Sequence, residues 1–444
     1  MAGADRISLL PLEIKISLLS RLRVKDAVRT SALAHSWRHL WTLLPCLQLH
    51  CGLDRLGLVI PRDDRFDSLW MERVHEFVSP LRGPVLDFQL FYCCPDSDGQ
   101  SIPLLQRLLD LLLRKGGVEK LLLYNFSNAY RVVISLSGFH ALKELELSDC
   151  HLVLPTGFPG FNRLTKLLLV DTQISSEDIN LLIHTSTNLT SLVNLTLIAS
   201  KDPLSVNFSF PLLRCLQFCI TDSVERVSIS SAPCLEKACI SFDSSLINSM
   251  SEKLARITLG LVTSVAMVSS LTLGFDALKN FSLVALPFNF TFSRLRFLSF
   301  YLNMDTVDKR MYDASIWLLK SMPFLEELEI ELWGDNSSQT NGVVILMREL
   351  LAKKHDGFAC LDRTLRSVTI DMYKLEVTAS ITMAHIFLLN AKVLKELKIV
   401  FATGAKVMPS MIEELQKLDL ISSDAKVVIF DRIKKKKIIL CMNN

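Results

Sequence analysis

The sequence predicts an α/β chain, a three-helix N-terminal module followed by an irregular solenoid or horseshoe with a parallel concave sheet. Three observations carry this. From Val118 onward one phrase recurs twelve times: an aliphatic residue, two variable residues, an aliphatic, one variable residue and an aliphatic. Before it, residues 5–45 place apolar residues at helical rather than alternating spacing. Half of the 444 residues are hydrophobic, which favours a continuous filled core over disorder.

The first helix starts at Leu10 and Pro11, where proline sacrifices no internal hydrogen bond, and lines up Ile14, Leu18, Leu19 and Leu22. Asp26 puts an acid in the first turn of a second helix, whose buried side is Val28 and Leu33. A third helix carries Trp37, Leu40, Trp41 and Leu44. Some forty residues do not form an independent core, so these faces need cover from the following chain, a partner, or both.

The stretch resembles a plant-type F-box through Asp5, Arg6, Leu10, Pro11, Glu13, Ile14, Leu18, Leu19, Ser20 and Leu22. The match continues through Lys25–Ser31 (KDAVRTS) and then Trp37, Arg38, Leu40, Trp41, Leu44 and Pro45. It departs from that family at Leu12, Lys15, Arg23 and Ala34-His35-Ser36. The stem of Lys15 can still lie along apolar surface with its ammonium in water. The resemblance implies docking on the Skp-type adaptor of a cullin-RING ubiquitin ligase. It assigns that contact to Leu10, Pro11, Ile14, Leu18, Leu19, Leu22, Val28, Leu33 and Trp37.

Residues 49–117 read as a helical and strand lead-in. Helices begin near Asp67 and Pro103, with a strand over 85–92 between them. The phrases follow as VEKLLL at Val118, LKELEL at Leu142, LTKLLL at Leu164, LVNLTL at Leu192, LRCLQF at Leu213 and LEKACI at Leu235. They continue as LARITL at Leu254, LKNFSL at Leu278, LRFLSF at Leu295, LEELEI at Leu325, LRSVTI at Leu365 and LKELKI at Leu394. Spacings of mostly about 20–30 residues are those of leucine-rich repeats, each phrase a short strand that buries its aliphatics only by stacking on its neighbours. Cys150, Thr172, Ser200, Thr221, Asp243 and Asn303 fall where a polar side chain satisfies the turn. The out-of-step phrases near Val227 and Val268 are expected on the opposite side. Helices are expected over SSEDINLLIHTSTNL, where Ser175 and Asp178 have capping spacing, and from Asp305, Thr340 and Met411. The region after Leu365 resembles the FBD region of plant F-box proteins through Phe387–Ala391, Leu394, Lys395, Leu397 and Ile399, and lacks that family's glycine around Tyr373-Lys374-Leu375. The expected domains are an F-box over 1–48, the lead-in over 49–117, repeats over 118–340, last repeats with the FBD-like region over 341–432 and a basic tail over 433–444.

A net charge of +3 points away from nucleic acid and anionic membrane as partners. Eleven scattered cysteines suit a reducing compartment, and the Cys93-Cys94 pair has no second pair at zinc-ligand spacing. The N-terminus shows no apolar signal region, no run reaches a membrane span, and Asn125, Asn188 and Asn289 in Asn-x-Ser/Thr triplets are expected to stay unmodified. Cytoplasm or nucleus is the expected location, and the Lys434–Lys437 run is compatible with nuclear import.

No phosphate-cradling loop, nucleophile elbow or metal-ligand spacing occurs, so no catalytic residue, cofactor or metal is expected. The outward strand positions then matter most. Lys166, Lys237 and Arg256 make a basic row; Thr196, Cys239, Thr258, Ser282 and Ser299 make a small, mostly hydroxyl-lined one; Glu327, Glu329 and Glu331 alternate on one acidic strand. The expected function is substrate recognition for an SCF-type ligase, the trough holding an unknown protein substrate. The alternatives are a non-proteolytic repeat scaffold with a divergent F-box and a receptor holding a small ligand.

Overall fold

The computed structural model describes residues 7, 9–50, 65–92, 101–126, 132–136, 138–199, 202–243, 251–274, 277–303, 310–333, 358–372, 377–401, 421–422, 424–432 and 436–440. They divide into two compact units, Met1–Leu213 and Arg214–Asn444.

The first unit begins with α1 (Leu12–Leu19) behind Pro11, then α2 (Val24–Arg29). The expected third helix is instead a series of 3-10 turns, Thr30–Ala32, His35–Trp37 and Leu40–Leu43. Extended Ala34 interrupts it, and the Thr42 hydroxyl donates to the His39 carbonyl at 2.7 Å, a local bond that competes with the helical ladder. The lead-in comprises β1 (Cys46–His50), α3 (Arg65–Val78), β2 (Asp87–Tyr92) and α4 (Ser101–Lys115). The helices pack on each other, and the Lys115 ammonium donates to the Ser79 carbonyl just beyond α3 at 2.7 Å.

The repeats continue with β3 (Lys120–Asn125), β4 (Val132–Ser135), β5 (Glu144–Ser148), β6 (Cys150–Val153), β7 (Lys166–Val170), β8 (Thr172–Ile174), α5 (Ser176–Thr185), β9 (Ser191–Ala199) and β10 (Leu204–Ser209). Strands β1, β2, β3, β5 and β7 form a parallel ladder, and β4, β6 and β8 form a second one. Long β9 serves both: Ser191–Val193 pair with β7 and Leu197–Ala199 with β8. Sharp turns join β5 to β6 and β7 to β8 through Asp149 (φ 53°) and Asp171 (φ 47°), aspartate being a residue that tolerates the left-handed region. Polar side chains fill these turns: the Thr172 hydroxyl, as expected, donates to the Val170 carbonyl at 3.2 Å, and Asn125, which the phrases did not single out, donates to the Asp149 carbonyl at 3.2 Å. The predicted cap of α5 forms, Asp178 N–H donating to Ser175 Oγ at 3.0 Å.

The second unit contains β11 (Cys215–Ile220), β12 (Val224–Ser231), β13 (Lys237–Phe242), α6 (Glu252–Ser264), β14 (Ser270–Leu273), α7 (Ala277–Phe281), β15 (Phe297–Asn303) and α8 (Arg310–Lys320). It continues through β16 (Glu327–Trp333), α9 (Ala359–Arg363), β17 (Ser367–Met372), α10 (Val377–Asn390), β18 (Glu396–Phe401), β19 (Lys426–Asp431) and β20 (Lys436–Leu440). Strands β11, β13, β14, β15, β16, β17, β18 and β19 pair successively in parallel, and β20 closes antiparallel on β19. Lys436 and Lys437, expected in a tail, therefore lie in a strand. Strand β12 stays outside this ladder and packs on α6, as the out-of-step phrase predicted.

Three repeat assignments are corrected. LARITL is helix α6 and LKNFSL falls in and just after helix α7, while the Val268 phrase, expected on the far side, supplies ladder strand β14. The reason is visible in α6. Leu254, Thr258, Leu261, Val262 and Val265 also satisfy helical spacing and are buried; Ser251 Oγ caps the Leu254 N–H at 3.1 Å, and Glu252 pairs with Arg256 one turn on at 2.5 Å. The segments expected as helices from Thr340 and Met411, the Tyr373-Lys374-Leu375 turn and Cys93-Cys94 lie outside the described residues.

Two glycines before α5 make a test of close packing. Gly157 (φ 74°) has open space where a Cβ would go, whereas at Gly160 (φ 86°) a Cβ would meet Thr185 Cβ at 2.4 Å. Gly157→Ala is expected to cost about 1 kcal/mol of backbone strain and Gly160→Ala about 2–4 kcal/mol, read as a larger drop in denaturant midpoint. Equal midpoints would refute the contact.

Candidate functional site

Helix α1 is apolar on both sides, and its chain seals only one. Leu19 is 1 % exposed and packs toward the Leu40–Leu43 turn. Lys15 is buried on the same side with its ammonium 5.9 Å from the centre of the Trp37 ring, so its stem packs inward and its charge sits over an aromatic face. On the adjoining side, one turn apart, Ile14 is 48 % exposed and Leu18 42 %. Ile7, Leu9, Leu12, Leu22 and Leu33 are exposed as well, a density of bare aliphatics unusual for so short a module. Of the residues assigned to adaptor contact, Pro11, Ile14, Leu18, Leu22 and Leu33 are exposed, and Leu10 and Val28 partly so. Leu19 and Trp37 are corrected to internal core: apolar spacing along α1 does not tell its covered side from its uncovered one, and Trp37 turns inward against Lys15.

Parallel register stacks the outward residues of each ladder into columns. In the first unit Lys120, Glu144 and Lys166 align, as do Leu122, Glu146 and Leu168. The Lys166 ammonium is 2.6 Å from Glu146, so this lysine is already neutralised. His50 stacks on Phe91 with ring centres 4.3 Å apart, and Phe91 on Tyr124 at 5.7 Å, an aromatic column that the phrases did not single out. Thr196 is not in the central column: β9 pairs three residues earlier than the LVNLTL phrase implies, so Val193 faces Leu168 and Thr196 is buried near the strand's end. Aliphatics at 192, 193, 195, 197 and 198 fit both frames.

In the second unit Lys237 is exposed on β13, but Arg256 and Thr258 leave the face altogether. Both are on α6, Arg256 paired with Glu252 and Thr258 wholly buried with its hydroxyl donating to the Leu254 carbonyl at 2.8 Å. The expected basic row therefore does not form. The central column runs Gln217, Cys239, Thr272, Ser299, Glu329, Thr369, Lys398 and Val428. Burial pushes the Cys239 thiol up to about 11, which makes it an inert packing residue.

The acidic strand holds together and gains members. Glu327 is exposed, whereas Glu329 and Glu331 are half-buried; Ser299 hydrogen-bonds Glu329 and Tyr301 hydrogen-bonds Glu331. Asp371 lies across from Glu331 in register and pairs with Arg432. Lys398, in the next strand, reaches 5.5 Å from the Phe430 ring centre. Burial holds Glu329, Glu331 and Asp371 above the usual carboxylate range; Asp371 raises Glu329 further, and Glu329 and Asp371 raise Glu331, while Arg432, reaching all three, and Lys398, beside Glu329 and Asp371, work against it. Asp371, Lys398 and Arg432 were missed in the sequence, and the signal for them was the shared outward parity of the strands after Glu331. Among the described residues no group of three or more potential ligands is placed to hold a metal ion, and no helix is long and apolar enough to cross a membrane.

A carboxyl held above its unfolded value binds its proton more tightly in the folded state. Stability is then present in acid and lost as pH rises from the ordinary carboxylate value through the folded one. Glu329→Gln with Glu331→Gln is expected to melt a few degrees above the parent at pH 7, the difference shrinking toward pH 4. A lower melting temperature at pH 7 would contradict it.

The family model described as "FBD-associated F-box protein At5g56370, LRR repeats" matches residues 105–330, half of the chain. An F-box/FBD/LRR-repeat protein of Arabidopsis thaliana is 32% identical over 187 residues, 40% of this chain and 41% of that protein. A second such protein from the same plant is 36% identical over 84 residues, 19% of this chain and 18% of the relative. An FBD-associated F-box protein, also from Arabidopsis thaliana, is 52% identical over 48 residues, 11% of each chain. The chain thus aligns with well under two thirds of each of these relatives. With its parallel strand ladders and the repeat model spanning both units, the chain belongs to the family of FBD-associated F-box proteins with leucine-rich repeats.

Proposed function

We propose that the chain is the substrate-recognition subunit of an SCF-type cullin-RING ubiquitin ligase: the N-terminal module docks on a Skp-type adaptor and the outward faces of the ladders bind a protein substrate. The observation that carries this is the bare side of α1. Ile14 and Leu18 are offered to solvent from a helix whose other side is already packed, so a partner can cover them without disturbing the chain's own core. The names of the relatives support the same reading. In this role the chain performs no chemistry. It holds a substrate lysine near the charged enzyme brought by other subunits, raising its effective concentration.

The test is affinity for a purified Skp-type adaptor. Ile14→Asp and Leu18→Asp are each expected to weaken binding at least about tenfold, since a charge in a dry interface costs more than about 1.4 kcal/mol, with little change in melting temperature. Leu19→Ala is expected instead to destabilise the module by about 2–5 kcal/mol. An unmutated chain that fails to bind the adaptor would favour the non-proteolytic scaffold.

A further inference from the structure

The turns that lead into the ladder strands of the second unit stack as regularly as the strands themselves. The Ser269 carbonyl accepts the Arg296 and Phe297 N–H groups at 2.9 and 3.0 Å. In the same way the Arg296 carbonyl takes Glu326 and Glu327, the Glu326 carbonyl takes Arg366 and Ser367, and the Arg366 carbonyl takes Lys395 and Glu396. Ser269, Arg296, Glu326, Arg366 and Lys395 thereby stand side by side, one per strand, along the edge where β14 to β18 begin. Met267, Arg294 and Phe324 come two residues earlier in the first three of these turns. Ser293 Oγ donates to the Met267 sulfur at 3.1 Å, and the Arg296 guanidinium lies 5.7 Å from the centre of the Phe324 ring, which ties the two rows together.

This edge is both apolar and basic. Among the described residues of the second unit, the large apolar side chains left exposed are Met267, Phe288, Phe324 and Ile421, and every one stands ahead of a ladder strand. Met267 is 55 % exposed and Phe324 43 %. Arg294, Arg296, Arg366 and Lys395 are exposed beside them. Arg296 pairs with Glu326 at 2.7 Å, whereas Arg294, Arg366 and Lys395 form no ion pair among the described residues. Glu327 and Glu396, one residue further on, belong to the neighbouring column of the outward face.

We propose that this edge docks a short acidic segment of a partner protein, a large apolar side chain seated against Met267 and Phe324 and carboxylates facing Arg366 and Lys395. Strand spacing sets its length: β14 to β18 is four spacings, about 19 Å, which an extended segment of about six residues covers. Charge selects the class of partner, since cations without acids of their own attract carboxylates, and the bare methionine and phenylalanine reward an apolar anchor. A nucleic-acid strand fits less well, because its phosphates repeat without a gap and Glu326, Glu327 and Glu396 interrupt the row. The edge is distinct from the outward face and from the adaptor contact, and the inference depends on neither.

The test uses the full chain with a fluorescein-labelled Ser-Phe-Ser-Glu-Glu-Ser peptide and its reversed sequence, followed by fluorescence anisotropy at low salt. The tighter of the two is expected to lose at least about fivefold in affinity when its glutamates become glutamines and at least about threefold when its phenylalanine becomes serine. Arg366→Glu with Lys395→Glu is expected to weaken binding at least about tenfold and Phe324→Ser at least about threefold, with melting temperatures within a few degrees of the parent. Should the charge reversal not fold, Arg366→Gln with Lys395→Gln is expected to weaken binding about threefold. No binding of either peptide, equal affinity for the glutamine version, no effect of the variants that fold, or tighter binding of a decauridine RNA would overturn the proposal. None of these substitutions is expected to alter adaptor binding. An unmutated chain that binds the peptide and not the adaptor would sink the ligase role alone.

Discussion

Parallel strand register is the constraint on which the rest depends. A single phrase such as LEELEI exposes more aliphatic surface than it can cover, and Leu328 and Ile330 are buried only because Leu298 and Phe300 lie on one side and Val368 and Ile370 on the other. Each strand is therefore locked to its neighbours residue by residue, since a slip by one would turn every inward leucine outward. The same lock fixes the opposite face. Once Leu328 must meet Val368, Glu331 must meet Asp371, and like charges are forced side by side by packing that never touches them.

The face answers that forced proximity differently in the two units. In the first, opposite charges alternate along a column: Lys120 reaches Glu144 at 3.2 Å and Lys166 reaches Glu146 at 2.6 Å, so the ladder compensates itself. In the second, the acids of β16 and β17 meet no cation on β15, and compensation arrives from β18 and from beyond β19, through Lys398 and Arg432. Among the described side chains, two cations answer three acids there. In the proposed role such a face would select partners by charge before contact.

How far the sequence could be read follows from the same geometry. Where a phrase had one possible frame, as in LKELEL or LEELEI, the strand and its outward residues were legible to the residue. Where aliphatics were too plentiful the pattern fitted twice: LARITL satisfied both a strand and a helix, and a capping serine with an i, i+4 ion pair decided for the helix. SLVNLTLIA allowed two registers three residues apart, and the Thr190 and Ser191 N–H bonds to the Thr165 carbonyl, both 3.0 Å, selected the earlier one. The acidic strand was visible because its three glutamates are consecutive outward positions; Asp371 and Arg432, 61 residues apart, meet only through the ladder and have no local signature.

The N-terminal helix shows the opposite situation, a surface with no register to constrain it. In α1 only Glu13 and Ser17 give water a polar side, and with Leu19 and Lys15 buried against the 3-10 turns the remaining apolar side, Ile14 and Leu18, is left outside. Half-exposing an aliphatic side chain forfeits about 1 kcal/mol of burial each. Polar residues at both positions would spare that loss without touching the packed side. A chain that elsewhere satisfies its turns with well-placed asparagine and threonine thus keeps an avoidable apolar surface where the family resemblance places the adaptor contact. In the proposed complex the partner supplies the missing cover, and the stability withheld from the free module becomes binding energy.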